Sequence, residues 1–334
     1  MTENLREFVA GLPKADLHVH LEGCCSPELL RELAAENGVS LTEPIRLRTG
    51  FVAVPPADAG KRLPSFRSFQ DFVNYYLKIT EVIQSEKDVR RLAEYMITSC
   101  QEQGVIHVEA YFSPTTYLLF DRPLDPLFAG LRSAQEFARD RGVTLRWIFD
   151  IVRNAPGNGE DTVRLAQTAR SGGVDVAAIG LAGAEDARTP NDFLPAFELA
   201  RREGFHILAH SGESGDASAV EELVRVLRPE RIGHGRTVIE SPSVTEEFRR
   251  SGRCIEACPW SNVLLGLCDR AAHPVMRMKR AGLNVVLCSD DPGIFGHDTL
   301  SNYELASALG ATRDELSEFA AASLQNAFVP EKRS

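Results

Sequence analysis

The chain of 334 residues predicts one domain, residues 1–334, folded as a (β/α)8 TIM barrel with a lid-like helical insertion over about 24–103. Three observations predict it. Short apolar runs alternate with longer amphipathic stretches, the pattern of βα units around a parallel sheet. Eight such runs occur, which suits a closed barrel of this length better than an open doubly wound sheet. Residues able to do chemistry collect just after the ends of the first, fifth, sixth and eighth runs, where the catalytic groups of such barrels emerge.

The strands expected in chain order are Ala15 to Leu21, Val105 to Phe112, Leu145 to Val152, Val174 to Leu181, His206 to Ala209, Arg231 to His234, Cys254 to Cys258 and Val285 to Ser289. After the first, Ser26 supplies an N-cap oxygen and Pro27 takes the first helical position, where its missing N–H costs nothing. Asn37-Gly38 then ends that helix. About eighty residues separate the first strand from the second. They include the Pro/Ala/Gly-rich stretch Phe51 to Gly60 and the aromatic run Phe66 to Tyr76, read mainly as core packing. An insertion at this point sits on the C-terminal face, over the mouth of the barrel. Near the end of the chain, Thr312 and Glu315 read as a capping box that opens the last helix.

Composition narrows the function classes. With 43% hydrophobic and 25% charged residues the chain is an ordinary globular one, and its apolar runs, such as Asn284 to Cys288, fall far short of a membrane span. Met1 to Glu7 shows no basic leader or cleavage site, and seven cysteines without a compact framework read as free thiols, so a cytoplasmic location is expected. A net charge of −10 argues against a phosphate-backbone footprint and favours a small free substrate over nucleic acid.

Only eight histidines are present, and four stand at or just after strand ends beside carboxylates. His18 and His20 alternate along a strand, so both imidazoles leave the same face. His210 with Glu213, His234, and Asp290 with Asp291 follow three other strands. Three neutral imidazoles and a carboxylate, His18, His20, His210 and Asp290, suit one Zn2+ per chain, with another divalent ion as the alternative. A two-metal site would want a bridging Lys from the fourth strand, and Val174 to Leu181 has none. His234 and Glu213 remain for proton transfer to and from a hydrolytic water and its target.

His18-Val-His-Leu-Glu-Gly23, Leu181-Ala-Gly183, His210-Ser-Gly-Glu213, Arg231-Ile-Gly-His-Gly235, Cys258-Pro-Trp-Ser-Asn262 and Ser289-Asp-Asp-Pro292 resemble, in order, the motifs of the adenosine deaminase family of the amidohydrolases. That resemblance implies a zinc-dependent barrel that replaces the 6-amino group of adenosine, or of a related adenine-containing nucleoside or base, by oxygen and releases ammonia. Free adenine and aminodeoxyfutalosine are the alternative substrates. It further implies His18, His20, His210 and Asp290 as zinc ligands. Glu213 would be the donor to purine N1, and His234 the group that positions and deprotonates the water. Asp291 would donate to N7, which needs a protonated carboxyl and hence a raised pKa. The Gly183 N–H would meet N3, and Glu22 the ribose end. Glu22 itself, Tyr111, Ser211 and Trp260 depart from common adenosine deaminases, and bear on substrate choice.

Other readings carry less of the pattern. His107-Val-Glu109 matches half of the cytidine-deaminase zinc motif, but Cys254 and Cys258 lack its spacing, so His107 is expected within the barrel wall. Asp16 to His20 also resembles metal-dependent phosphoesterases, which gather more metal ligands and basic groups than remain here. A non-catalytic purine-binding barrel would not need the intact set of His18, His20, His210, Glu213, His234 and Asp290. Cys24, Cys25, His273 and His297 are read as packing and loop residues.

Overall fold

The computed structural model describes residues 4–56, 58–60 and 63–329. Met1, Thr2 and Glu3 of the N-terminal heptapeptide, Ala57 of the Pro/Ala/Gly-rich stretch, residues 61–62 and the last five residues of the expected domain lie outside the described residues.

Eight parallel strands form the wall: β1 (Lys14–His20), β2 (Val105–Phe112), β3 (Thr144–Val152), β4 (Val176–Ala182), β5 (His206–Ser211), β6 (Arg231–His234), β7 (Cys254–Ala257) and β8 (Val285–Leu287). They neighbour one another in sequence order. Each matches an expected run to within a residue or two. The barrel closes just beyond β8, where Asp290 forms a parallel bridge with Val19. The Asp290 N–H donates to the His18 carbonyl at 2.8 Å, and the His20 N–H donates to the Asp290 carbonyl at 2.8 Å. β1 and β4 are buried at every position, because helices cover them outside and side chains fill the barrel inside.

Four helices precede β2. α1 (Leu5–Ala10) lies before β1, and α2 (Pro27–Glu36) begins where Ser26 Oγ accepts the Leu29 N–H, with Gly38 in the left-handed region just past its end. α3 (Phe69–Val82) and α4 (Glu86–Glu102) follow. α4 packs on β2 and on the helix Leu124–Asp140 as one of the outer helices of the barrel. The region added to the barrel therefore ends at α3, and the 24–103 span also takes in α4. Within it, Ile45–Arg46 pairs antiparallel with Val52–Ala53. Two-residue strands are too short to show alternation, which is why the sequence does not reveal them. The capping box at Thr312 and Glu315 opens the last helix, Arg313–Gln325. Among the described residues no helix is long and apolar enough to cross a membrane.

Below the mouth the barrel interior holds a buried charged network beside apolar side chains such as Ile148 and Leu208. Buried Arg231 donates from Nε to Glu256 at 2.6 Å, from Nη2 to Glu109 and from Nη1 to the Asn326 carbonyl at 2.6 Å. His107, buried in β2, hydrogen-bonds Glu109 at 3.0 Å. Burial opposes charge on Glu109, but the Arg231 guanidinium and His107 outweigh it and hold the carboxyl down at about 2. Removing one partner of such a network leaves charge buried and unpaired. Arg231→Met should therefore destabilise the fold by about 3–5 kcal/mol; a urea midpoint equal to that of the unaltered protein would show that the network is not needed.

Candidate active site

The strand ends bring the predicted residues together. His18 and His20 leave β1, His210 leaves β5, His234 ends β6, and Asp290 and Asp291 follow β8. Nε2 of His20 stands 3.3 Å from Nε2 of His210 and 3.5 Å from Asp290 Oδ1, which lies 3.6 Å from Nε2 of His18. The rings are aimed by their far nitrogens. His18 Nδ1 pairs with Glu256 Oε2 at 2.8 Å, and His210 Nδ1 with the Leu181 carbonyl at 3.1 Å. A carbonyl only accepts, so the His210 proton sits on Nδ1, and a carboxylate places the His18 proton likewise. Nε2 lone pairs are thereby turned inward, and that of His18 is buried with no hydrogen-bond partner.

Unpaired lone pairs converging in a dry site are costly unless a cation sits among them. Burial, with neighbouring histidines, pushes all three imidazoles below their usual pKa, His20 to about 3, so they stay neutral as metal ligation requires. Ligand atoms of His18, His20 and His210 lie within 4.8 Å of one another, and Asp290 joins His18 and Cys258 in a second such group. Burial holds Cys258 as a thiol, which leaves the Asp290 carboxylate as the better oxygen or sulfur donor. The donor set fits a metal.

Around these donors stand further buried titratable groups. Glu213 is pushed up to about 8 by burial and by Glu185, so near neutral pH it carries a proton. Its Oε2 lies 3.8 Å from His234 Nε2. Glu185 grips the turn that bears it, accepting the N–H groups of Gly212, Glu213, Ser214 and Gly215 at 2.8, 2.9, 2.8 and 3.0 Å. Asp291 is raised well above the usual carboxyl range by burial and by the adjacent Asp290, the direction that donation to a ring nitrogen needs. Gly23 makes room for it, since a Cβ there would fall 1.9 Å from Asp291 Oδ1. His234 and Asp290 hold left-handed φ values of 63° and 64°, strain that is found at functional strand ends.

His20, His210, Glu213, Asp290 and Asp291 form the floor of a cavity of about 440 Å3, with His18 and His234 outside its lining; the walls include Gly183, Asp150, Ser113, Thr116, Asn154 and the α3 side chains Phe69, Phe72 and Tyr76. Part of the aromatic run thus lines the mouth, while Tyr75 is in the core. Glu22 stands behind the wall, and its two oxygens accept the hydroxyls of Tyr76 at 2.9 Å and Tyr117 at 2.8 Å. Tyr111 also faces inward, donating to Glu256 at 3.0 Å beside the His18 ring. Trp260 stacks on His297 and donates to the Ser301 carbonyl, away from the cavity. The Ser211 hydroxyl lies 3.4 Å from Glu185.

Sequence reasoning passed over Glu185, Glu256 and Asp150. Asp150 had a readable signal, a charged residue inside the apolar run Trp147 to Val152; buried, with neither oxygen hydrogen-bonded, it lies 3.9 Å from His20 Nδ1. Glu185 had none, because an acid two residues past Gly183 looks like any helix-entry carboxylate.

The family model described as adenosine deaminase matches residues 13–334. The chain belongs to the adenosine deaminase family. Within that family it is 32% identical over 329 residues to an adenine deaminase of Caulobacter vibrioides, covering 97% of this chain and 91% of that protein. It is 34% identical to one of Streptomyces coelicolor, covering 95% and 91%. The crystal structure of an adenine deaminase from Arthrobacter aurescens superposes with a TM-score of 0.85 at 30% identity, covering 97% and 96% of the two chains. As a member of the adenosine deaminase family the protein is a metal-dependent hydrolytic deaminase.

If Asp290 completes the ligand set, Asp290→Ala should weaken metal retention by on the order of 100-fold, at or beyond the upper end of what an outer partner's loss costs. Metal analysis after dialysis against a chelator reads this, and unchanged content would strike Asp290 from the set.

Proposed function

We propose that the protein is a one-zinc aminohydrolase that converts adenine and water to hypoxanthine and ammonia. The observation that carries this is the cluster at the base of the cavity: a protonated Glu213 next to His234, three neutral imidazoles and Asp290, with Asp291 on the cavity floor and Gly183 on its wall. His18, His20, His210 and Asp290 would hold the zinc, a borderline ion suited to imidazole and carboxylate donors. When bound, the ion supplies Lewis acidity that makes water nucleophilic near neutral pH.

The chain's own residues do the rest. Asp291, protonated, donates to purine N7, and the Gly183 N–H donates to N3; together they fix the ring in its plane. Gly183 is in the left-handed region at φ +89°, and a Cβ there would fall 2.4 Å from Asn154 Oδ1, so the position takes glycine. Glu213 gives its proton to N1, which drains electron density from C6 and opens that carbon to the water that His234 orients. The tetrahedral carbon then loses the amino group as ammonia, and the ring regains its conjugation as the 6-oxo product. A protonated carboxyl is essential here because N1 and N7 are both acceptors.

Free adenine is favoured over adenosine by Glu22. Both its oxygens are engaged by tyrosine hydroxyls, so no free carboxylate meets a ribose. The curated relatives named adenine deaminase support the same choice. Among the described residues the cavity wall carries no Lys or Arg, which disfavours a phosphate-bearing substrate. Residues from two parts of the added region reach the mouth, Leu47, Thr49 and Phe51 before α3 and Phe69, Phe72 and Tyr76 within it. Buried, unpaired thiols suit the cytoplasm.

A panel of adenine, adenosine, 2′-deoxyadenosine, AMP and aminodeoxyfutalosine, followed by ammonia release, tests the substrate. Adenine should give the highest kcat/KM; a nucleoside ahead of it would assign the outer cavity to a sugar and overturn the free-base choice. Glu213→Gln should keep the zinc yet lose ~10²–10⁴-fold in turnover, since the ligands are untouched and the donor is gone. Full activity in that variant would refute its role. Because Glu213 is raised, it is protonated below about 8 and ionises above it. Activity should therefore fall as pH climbs through that value, and a rate still rising there would contradict the assignment.

A further inference from the structure

Behind His234 runs a chain of two buried side chains, Asn262 and His273, that reaches the loop before the helix Val275–Arg280. Its far end has one donor that cannot be reversed, the backbone N–H of Val275, which donates to His273 Nδ1 at 3.2 Å. His273 Nδ1 is therefore bare. Burial drives His273 down to about 3, so the ring is neutral and its single proton sits on Nε2. That nitrogen is 3.2 Å from Asn262 Oδ1, which must accept. Turning the amide over would set its NH2 group against the His273 N–H, so the orientation of Asn262 is fixed. Its Nδ2 then donates to His234 Nδ1 at 3.3 Å. Once Nδ1 of His234 accepts, the proton of that neutral ring is on Nε2, the nitrogen that faces Glu213 and the cavity floor.

We propose that Asn262 and His273 are positioning residues that lock His234 in its Nε2–H tautomer, so that His234 orients the attacking water by donating to its oxygen and does not take its proton. The inference rests on the deaminase reading of the site and revises one role within it: of the two tasks that the family resemblance gives His234, orientation stays and deprotonation leaves. The proton shed by the water passes to the Glu213 carboxylate left when N1 is protonated, which restores the acid, and the proton remaining on the C6 hydroxyl departs with the amino nitrogen as ammonia. Water cannot replace the relay, because Asn262 is fully buried and His234 and His273 are nearly so.

Two measurements test it. Nitrogen-15 NMR of the zinc-loaded, histidine-labelled protein, with His234 assigned by its loss in His234→Gln, should show Nε2 protonated and Nδ1 bare near neutral pH. The reverse pattern overturns the proposal. Asn262→Asp keeps the size of the side chain but turns its donor into an acceptor, which draws the His234 proton to Nδ1. That variant should keep its zinc content and KM while kcat falls by ~10²-fold, the scale of one lost catalytic donor, and its His234 resonances should exchange positions. An undiminished kcat in Asn262→Asp also overturns it. Since the tautomer is read without turnover, failure of the adenine assay would count against the choice of adenine as substrate and leave this inference standing.

Discussion

One residue closes the barrel and furnishes its floor. The backbone of Asp290 is hydrogen-bonded to both His18 and His20, and this pairing joins the last strand to the first. The same three residues aim their side chains at one point. Closure of the sheet and assembly of the candidate ligand set are thus a single event. The left-handed backbone at Asp290 is held because the two hydrogen bonds over-determine it. Such geometry holds the candidate metal ligands at hydrogen-bonded strand ends, within the narrow tolerance that ligation demands.

Burial then sets the protonation of everything around that point. It pushes the histidines down and the carboxyls Glu213 and Asp291 up, so the imidazoles stay neutral and the acids keep their protons. Both outcomes serve the chemistry, since ligands must have free lone pairs and donors to ring nitrogens must have hydrogens. Outer partners supply the direction that burial cannot: Glu256 and the Leu181 carbonyl turn His18 and His210, Asn262 turns His234, and Glu185 holds the turn of Glu213. Glu256 also belongs to the Arg231 network, which ties the orientation of a ligand to the packing of the barrel interior.

How much of this could be read from the sequence follows from what each feature leaves in it. Strands buried on both faces leave apolar runs, and all eight were legible, with ends displaced by no more than two residues. Ligands at strand ends leave His-x-His and paired acids, so the inward-facing set was legible too. Outer partners leave nothing comparable. Glu185, Glu256 and His273 are ordinary residues at ordinary positions, and only their three-dimensional neighbours give them a task. Glu22 shows the converse, a residue whose motif implies contact with substrate while two tyrosines, one of them from the insertion, occupy its carboxylate. Tyr111 and Trp260 likewise depart from the family pattern without reaching the cavity.

The account stands most directly on one metal-dependent floor per chain. Titrating metal-free protein with zinc while following ammonia release from adenine tests this in one experiment. Activity should rise from near zero and level off at one equivalent per chain. Turnover in the fully stripped protein, or a plateau reached only at two equivalents, would contradict it.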